Sequence, residues 1–311
     1  MFHKALLLAA MAGAMLIAQN PVRQVTYRGL KTANKPIPVF DKGYVIERED
    51  MLGTLSVYSP DGNLLYETNV LAPDGTAAYV RGAAVDADGT VAVPIFYGKQ
   101  KSYRNGIVYL GQEGRQILFV DTGLFAPSKV CFAGDHSTWA IGWNEGNPAD
   151  GAQVRRYSPD GKETGSFLPR SLFPPGLSPF GSGISTMHAI GDRIGLLAFP
   201  GQVSDHPEWV ELGLDGKVIG RWQLGLQQLP MELAFTEDGS LYWYALQPET
   251  KKMALLRFDR GTSTWNVVVS PDASGLLLGA DENTLVYETA DAEGAHLSWI
   301  NPPPVLNTAT R

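Results

Sequence analysis

The chain has 311 residues, with 32 acidic against 25 basic side chains and a formal net charge of −7. Its 44% hydrophobic content suits a folded globular chain and excludes intrinsic disorder. The acidic balance leaves no basic surface for nucleic acid, and the single cysteine, Cys131, excludes an intrachain disulfide framework and multi-thiolate metal sites.

Residues 1–20 carry one basic side chain, Lys4, then an uncharged run from Ala5 to Ile17, then the small or polar residues Ala18, Gln19 and Asn20. This pattern predicts a secretory signal peptide, cleaved between residues 14 and 20, so that residues 21–311 fold as a secreted or periplasmic domain. The apolar run is shorter than the ~20 residues that cross a bilayer as a helix, and no later stretch is long enough either. No stable membrane span is expected.

The first strand signal after the leader, Gln24–Leu30, has no neighbouring partner. From there the chain alternates short β-like runs with Asp, Asn, Gly and Pro turns, and no window keeps a helical period for three turns. One turn type recurs at Asp41-Lys-Gly43, Asp86-Ala-Asp-Gly89, Gly134-Asp-His136, Gly191-Asp192, Glu237-Asp-Gly239 and Asp281-Glu-Asn283, spaced 44 to 56 residues apart. A second type falls between them, with near-identical copies at Tyr58-Ser-Pro-Asp-Gly62 and Tyr157-Ser-Pro-Asp-Gly161. Asp-Gly tolerates the positive φ of tight hairpins, so each copy carries a physical turn signal. Two interleaved hairpin turns per ~45 residues make a four-stranded antiparallel unit, which is a propeller blade.

The clearest blade has strands at Leu233–Thr236, Leu241–Leu246, Met253–Phe258 and Trp265–Val269. Earlier blades begin near Ile37, Tyr79, Ser128 and Ser185. The last has strands at Leu276–Gly279, Thr284–Glu288 and His296–Ile300, then stops at Pro302-Pro-Pro304, since proline lacks the N–H a strand needs. The fold class is therefore all-β, a six-bladed propeller whose missing outer strand comes from the segment near Val25–Leu30. A β-sandwich also spaces its turns regularly and is the competing architecture.

The blade rhythm, with Val85-Asp-Ala-Asp-Gly-Thr-Val-Ala-Val93 and the two Tyr-Ser-Pro-Asp-Gly turns, resembles six-bladed propellers of the NHL-repeat and SMP-30 (gluconolactonase) type. The resemblance spans nearly the whole chain after the leader, as a repeat rhythm. It implies the fold. For activity, SMP-30-type lactonases hold a divalent cation on one propeller face with hard oxygen ligands, and here Glu232 and Asn144 are the two residues that fit such a set.

Candidate binding residues cluster in loops expected to share one propeller face. They are Tyr97 and Arg104 in Tyr97-Gly-Lys-Gln-Lys-Ser-Tyr-Arg-Asn105, Trp143 and Asn144 in Trp143-Asn-Glu-Gly-Asn147, and His206 and Trp209 in Asp205-His-Pro-Glu-Trp209. Arg81, Lys129 and Glu232 open inner strands on the same side. Aromatic rings beside charged and hydrogen-bonding groups are what a ligand cleft needs. The sequence holds no nucleophile elbow, no P-loop and no compact His pair for zinc. Cys131, in Lys129-Val-Cys-Phe132, is expected as a small buried hydrophobe. The Pro/Gly-rich segment from Pro169 to Gly183 is expected to fold Leu172, Phe173, Leu177 and Phe180 over a blade surface or the channel mouth.

On these residues the favoured function is a monomeric, non-catalytic binding module for a small-molecule or protein partner, needing no cofactor. The alternative is a metal-dependent hydrolase of the lactonase kind, with Ca²⁺ or another divalent cation on Glu232 and Asn144 and with His206 or Asp205 as base.

Overall fold

The computed structural model describes residues 21–30, 38–48, 53–98, 103–146, 151–174, 178–180, 185–199, 207–225, 233–246, 253–269 and 275–302. These form six antiparallel sheets, each with four strand positions running from the centre outwards. The first blade is Val39–Asp41, Tyr44–Arg48, Thr54–Tyr58 and Leu64–Asn69. The second has an inner position split into Tyr79–Val80 and Ala84–Val85, followed by Val91–Tyr97, Arg104–Leu110 and Gln116–Gly123. The third is Phe125–Phe132, Thr138–Asn144, Ala152–Tyr157 and Glu163–Pro169, and the fourth Met187–Ile190, Arg193–Ala198, Glu208–Gly213 and Val218–Gln223. The fifth is Leu233–Phe235, Leu241–Leu246, Met253–Asp259 and Thr264–Val269.

The sixth blade takes Leu276–Asp281, Thr284–Ala290 and Gly294–Ile300 from the end of the chain and Arg23–Arg28 from its beginning. That closing strand pairs antiparallel with Gly294–Ile300, in a register running from Arg23 opposite Trp299 to Arg28 opposite Gly294. The closure expected from the lone strand and the proline stop is therefore present. Tyr27, fully buried in the seam, donates its hydroxyl to the Gly43 carbonyl at 3.1 Å, tying the closing strand to the first blade. At Gly62, where φ is +81°, a Cβ would strike the Thr26 carbonyl, so the hairpin Asp-Gly also permits the close approach of this strand.

Strand composition explains the radial order. Inner and second strands are buried on both sides, as in Leu233–Phe235 and Val91–Tyr97, and read as apolar runs. Outer strands such as Leu64–Asn69 are mostly exposed and carry polar residues. Side chains alternate between the two neighbouring blades, because successive residues of a strand point to opposite faces. Ile46 thus packs with the second blade's Val80, Val93 and Val108, while its neighbour Val45 packs with Val286, Leu297 and Trp299 of the sixth. Six such apolar clusters fill the six wedges between blades.

The segment after Pro169 makes a single 3-10 turn at Arg170–Leu172 and then lays Phe173 and Phe180 into the wedge between the third and fourth blades, beside Trp139 and Ile194. Arg221 fastens it, with its guanidinium 4.8 Å from the Phe173 ring and two 2.7 Å bonds to the buried Glu208 carboxylate. Leu172 stays exposed, and Leu177 lies outside the described residues. The segment covers a blade surface, as its apolar residues require. No helix among the described residues is long and apolar enough to cross a membrane.

Candidate functional site

The inner strands surround an axial channel with a cavity of about 340 Å³. Aligning the inner strands on the residue whose backbone closes each inner hairpin, Asp41, Asp86, Ala133, Ile190, Thr236 and Asp281, places the lining residues in levels. Two residues before that point stand Val39, Ala84, Cys131, His188 and Gly279, all of which line the channel. Gly82, Lys129 and Thr186 also line it, four residues before the same point, with Ser185 one residue further. Arg48 joins this upper level from the second strand of the first blade.

The channel therefore has two chemically different ends. Arg48, Lys129, Ser185 and Thr186 stand at the end where the inner strands begin. Asp41 stands at the other, in the last position of its strand, with His188 and Cys131 two residues up from the hairpins. Burial raises the Asp41 carboxyl above the usual carboxylate range, against the lowering effects of Lys42, the Val85 amide and His188. Its Oδ2 accepts that amide at 2.8 Å. Burial also pushes the Cys131 thiol up, and the Asp41 charge adds to this. The imidazole of His188 packs against the Trp209 indole with ring centres 6.5 Å apart.

The residues expected from the sequence are only partly brought together. Arg81 and Trp143 meet: the Arg81 guanidinium lies between the Trp143 and Phe96 rings, 4.8 and 4.6 Å from their centres. It donates to the Pro127 carbonyl at 3.3 Å and sits 3.9 Å from the Glu145 carboxylate. Phe96 in turn stacks on Tyr79 at 4.6 Å. The cation is thus clamped into a polar–aromatic cluster beside the channel mouth.

Tyr97 is not part of that cluster. It closes the strand Val91–Tyr97, and the period of two turns Phe96 toward Arg81 and Tyr97 into the opposite wedge, edge-on to Phe119 at 5.9 Å. Arg104, its strand partner, is exposed. Asn144 ends a strand instead of lying in a loop, and its Oδ1 accepts the Gly146 amide at 2.9 Å. Trp209 needs a correction: it is no loop aromatic. It sits inside the strand Glu208–Gly213, is fully buried against Phe235, and donates Nε1–H to Glu211 at 2.9 Å. Asp205, His206 and Glu232 lie outside the described residues. Among the described residues no group of three or more His, Cys, Asp or Glu side chains is placed to hold a metal ion.

Asp41, Arg48, Ser185, Thr186 and His188 were not among the expected site residues. The signal for them was present in the repeat itself. Once the six inner hairpins are superposed, His188 is the one imidazole in a level otherwise filled by Val39, Ala84, Cys131, Ala234 and Gly279.

No family model matches the chain, and no curated protein matches it. Solved structures do. A gluconolactonase from Xanthomonas campestris superposes with a TM-score of 0.52 at 14% identity, covering 92% of each chain. Hydrazine synthase from Kuenenia stuttgartiensis matches at 0.50 and 11% identity, over 83% of this chain and 75% of that one. A virginiamycin B lyase from Staphylococcus aureus gives 0.45 and 14% identity, over 89% of this chain and 98% of that one. At these identities the likeness to the first two is one of fold alone.

Proposed function

We propose that this chain handles a small organic molecule in its axial channel and hydrolyses it as a lactonase does. The observation that carries the reading is the channel itself. A cavity of about 340 Å³, within the ~300–1,000 Å³ range of small-molecule sites, is lined by an acid, an imidazole and two cations from the first, third and fourth blades. The end-to-end likeness to a gluconolactonase fold supports the hydrolytic reading over simple binding.

In this reading His188 takes a proton from water, hydroxide adds to the lactone carbonyl carbon, and the ring C–O bond breaks. The imidazolium returns its proton to the departing ring oxygen, so a hydroxy acid leaves. Asp41, close enough to feel the His188 charge, stabilises the imidazolium. No step is routed through a metal. The residue 1–20 leader supports export, so the substrate would be met outside the cytoplasm.

A second reading, binding without turnover, is favoured by the clamped Arg81–Phe96–Trp143 cluster, a rigid aromatic rim at the mouth. The test is acid release from a panel of sugar and aliphatic lactones, followed in a pH-stat with the wild type and His188→Gln. Turnover that falls by about 10²-fold or more in His188→Gln, the scale of lost general-base catalysis, is the expected result. Turnover unaffected by the substitution, or no acid release from any lactone, overturns the hydrolase reading.

A further inference from the structure

We propose that Lys42, Asp86 and His136 form a proton-operated latch that holds the inner hairpins of the first three blades together at the Asp41 end of the axial channel. The inference concerns the ring of blades and does not depend on what the channel holds or whether it turns over.

The backbone points to it first. Three inner hairpins share one five-residue form, Asp86–Thr90, Ala133–Ser137 and Thr236–Ser240, each closed by a bond from the first amide to the last carbonyl. Their fourth residue lies in the left-handed region, with φ of +84° at Gly89, +80° at Gly239 and +62° at His136. Glycine suits that backbone, and a residue with a Cβ is disfavoured there. His136 therefore holds a glycine position at a conformational cost, and the contacts of its ring show what offsets it.

The ring reaches out of its own blade. Its Nδ1 stands 2.7 Å from Oδ2 of Asp86 in the second blade, and since a carboxylate only accepts, Nδ1–H is the donor. Asp86 is buried, and its Oδ1 lies 3.4 Å from the Lys42 ammonium of the first blade. Lys42, itself at φ +48°, crosses to the third blade, where Nζ donates to the Phe132 carbonyl at 3.3 Å and faces the Phe132 ring. Two cationic side chains and one buried carboxylate thus tie three blades in a triangle. Asp41 and Phe132 both line the channel, so the triangle stands at the rim of that end.

The groups facing the imidazole are Asp86 and Asp88 of the second hairpin and Lys42 of the first. On its own hairpin, Asp135 is engaged by Arg156 and Ser137. The bond to Asp86, and then the Asp86 charge, raise the imidazole above its ordinary 6.5; Asp88 adds to this, while desolvation and Lys42 oppose it. A native value above the unfolded one favours the latched state at low pH. The stabilisation is fully present below about 6.5 and is lost as the pH rises through the raised native value. Above that value the contact is no longer charge-assisted, and Asp86 keeps Lys42 as its cation.

The fifth and sixth hairpins are joined differently and supply an internal control. There the Glu237 amide donates to the Glu282 carbonyl and the Asp238 amide to Asn283 Oδ1, both at 2.9 Å, through bonds that involve no ionisable group.

The test is amide exchange at Val85, whose N–H donates to the Asp41 carboxylate between the first and second blades at 2.8 Å. It is measured on the full chain at pH values either side of the His136 titration, itself followed by NMR. The His136 resonances, assigned by their loss in His136→Gly, should titrate above 6.5, return to near 6.5 in Asp86→Asn and move higher in Lys42→Gln. After correction for the intrinsic rate, Val85 protection should fall across the titration by the factor separating the His136 proton affinity from that of an ordinary histidine. That factor is tenfold for each pKa unit. His136→Gly, which puts glycine where the two matching turns have it, should fold and lack this fall, and Asp86→Asn should lack it too. Asp41 is present in all three proteins, so its own protonation cancels from the comparison. The Asp238 amide should keep one pH dependence in wild type and both variants. An imidazole titrating at the ordinary value, one left unmoved by Asp86→Asn, or a Val85 pH dependence unchanged in His136→Gly overturns the latch. So does an Asp238 amide that changes together with Val85, since the release would then belong to the whole ring.

Discussion

Glu47 of the first blade and Glu288 of the sixth meet as two buried carboxyls across the closing seam, 4% and 5% exposed. Burial, together with the Glu47 charge, pushes the Glu288 carboxyl up from 4.5 to about 7, and its Oε1 has no hydrogen-bond partner among the described residues. A folded-state value above the unfolded one means that the native protein holds a proton the unfolded chain has lost. This contribution is fully present below about pH 4.5 and is lost as the pH rises through about 7. Its size is about 3 kcal/mol. Glu288→Gln, which stays neutral, should therefore be more stable than wild type at pH 8 and close to it at pH 4.5. Urea unfolding at both pH values checks this, and an equal difference at the two would contradict it.

Ring closure gives a second prediction. Tyr27 is fully buried among Tyr58, Leu297 and Trp299 and hydrogen-bonds across to Gly43. Tyr27→Ala removes a large aromatic from a packed wedge and should cost about 3–5 kcal/mol. Tyr27→Phe removes only the hydrogen bond and should cost about 1 kcal/mol. A Tyr27→Ala protein with wild-type stability would mean that the closing strand does not hold the ring together.

Cys131 lines the channel but is 5% exposed, and its thiol is held protonated by burial. Since the thiolate is the reacting species, iodoacetamide at pH 8 should label the native protein far more slowly than the urea-unfolded chain. Comparable labelling rates in the two states would place this thiol in open solvent.

Among the described residues, Arg81 is an expected binding residue whose charge is held in structural contacts. Its guanidinium is sandwiched between two rings and stands near Glu145. Arg81→Met keeps much of the stem but loses both ring contacts, and should lower stability by about 1–2 kcal/mol. Thermal melts of the variant check this, and an unchanged melting temperature would contradict it.

The fold was legible because a propeller repeats its hairpins. Gly62 and Gly89 punctuate the chain at positions where only positive φ will do, and the proline run beginning at Pro302 stops the last blade one strand short. Much of the site was not, because a period of two decides which way each side chain faces. Tyr97 and Phe96 differ by one residue and face opposite wedges. Trp209 read as a loop aromatic because it follows Asp205-His-Pro-Glu208, yet it shares a strand with Glu208 and Glu211. Both carboxylates are buried and paired, Glu208 with Arg221 and Glu211 with Arg260 and the Trp209 indole itself. His188 was passed over because Met187-His-Ala-Ile190 carries no ligand motif, and only the superposed inner strands turn it to the axis.

The central claim, that a small molecule is held in the axial channel, is tested most directly by the His188 ring. Its imidazole proton resonances, assigned by their loss in His188→Gln, can be followed by NMR while gluconate is added to the full chain. Saturable movement of the His188 resonances, with those of His296, on the third strand of the sixth blade, unmoved, is the predicted result. Saturation of the protein with ligand while the His188 resonances stay fixed, or equal movement of His296, would place binding elsewhere and contradict the claim.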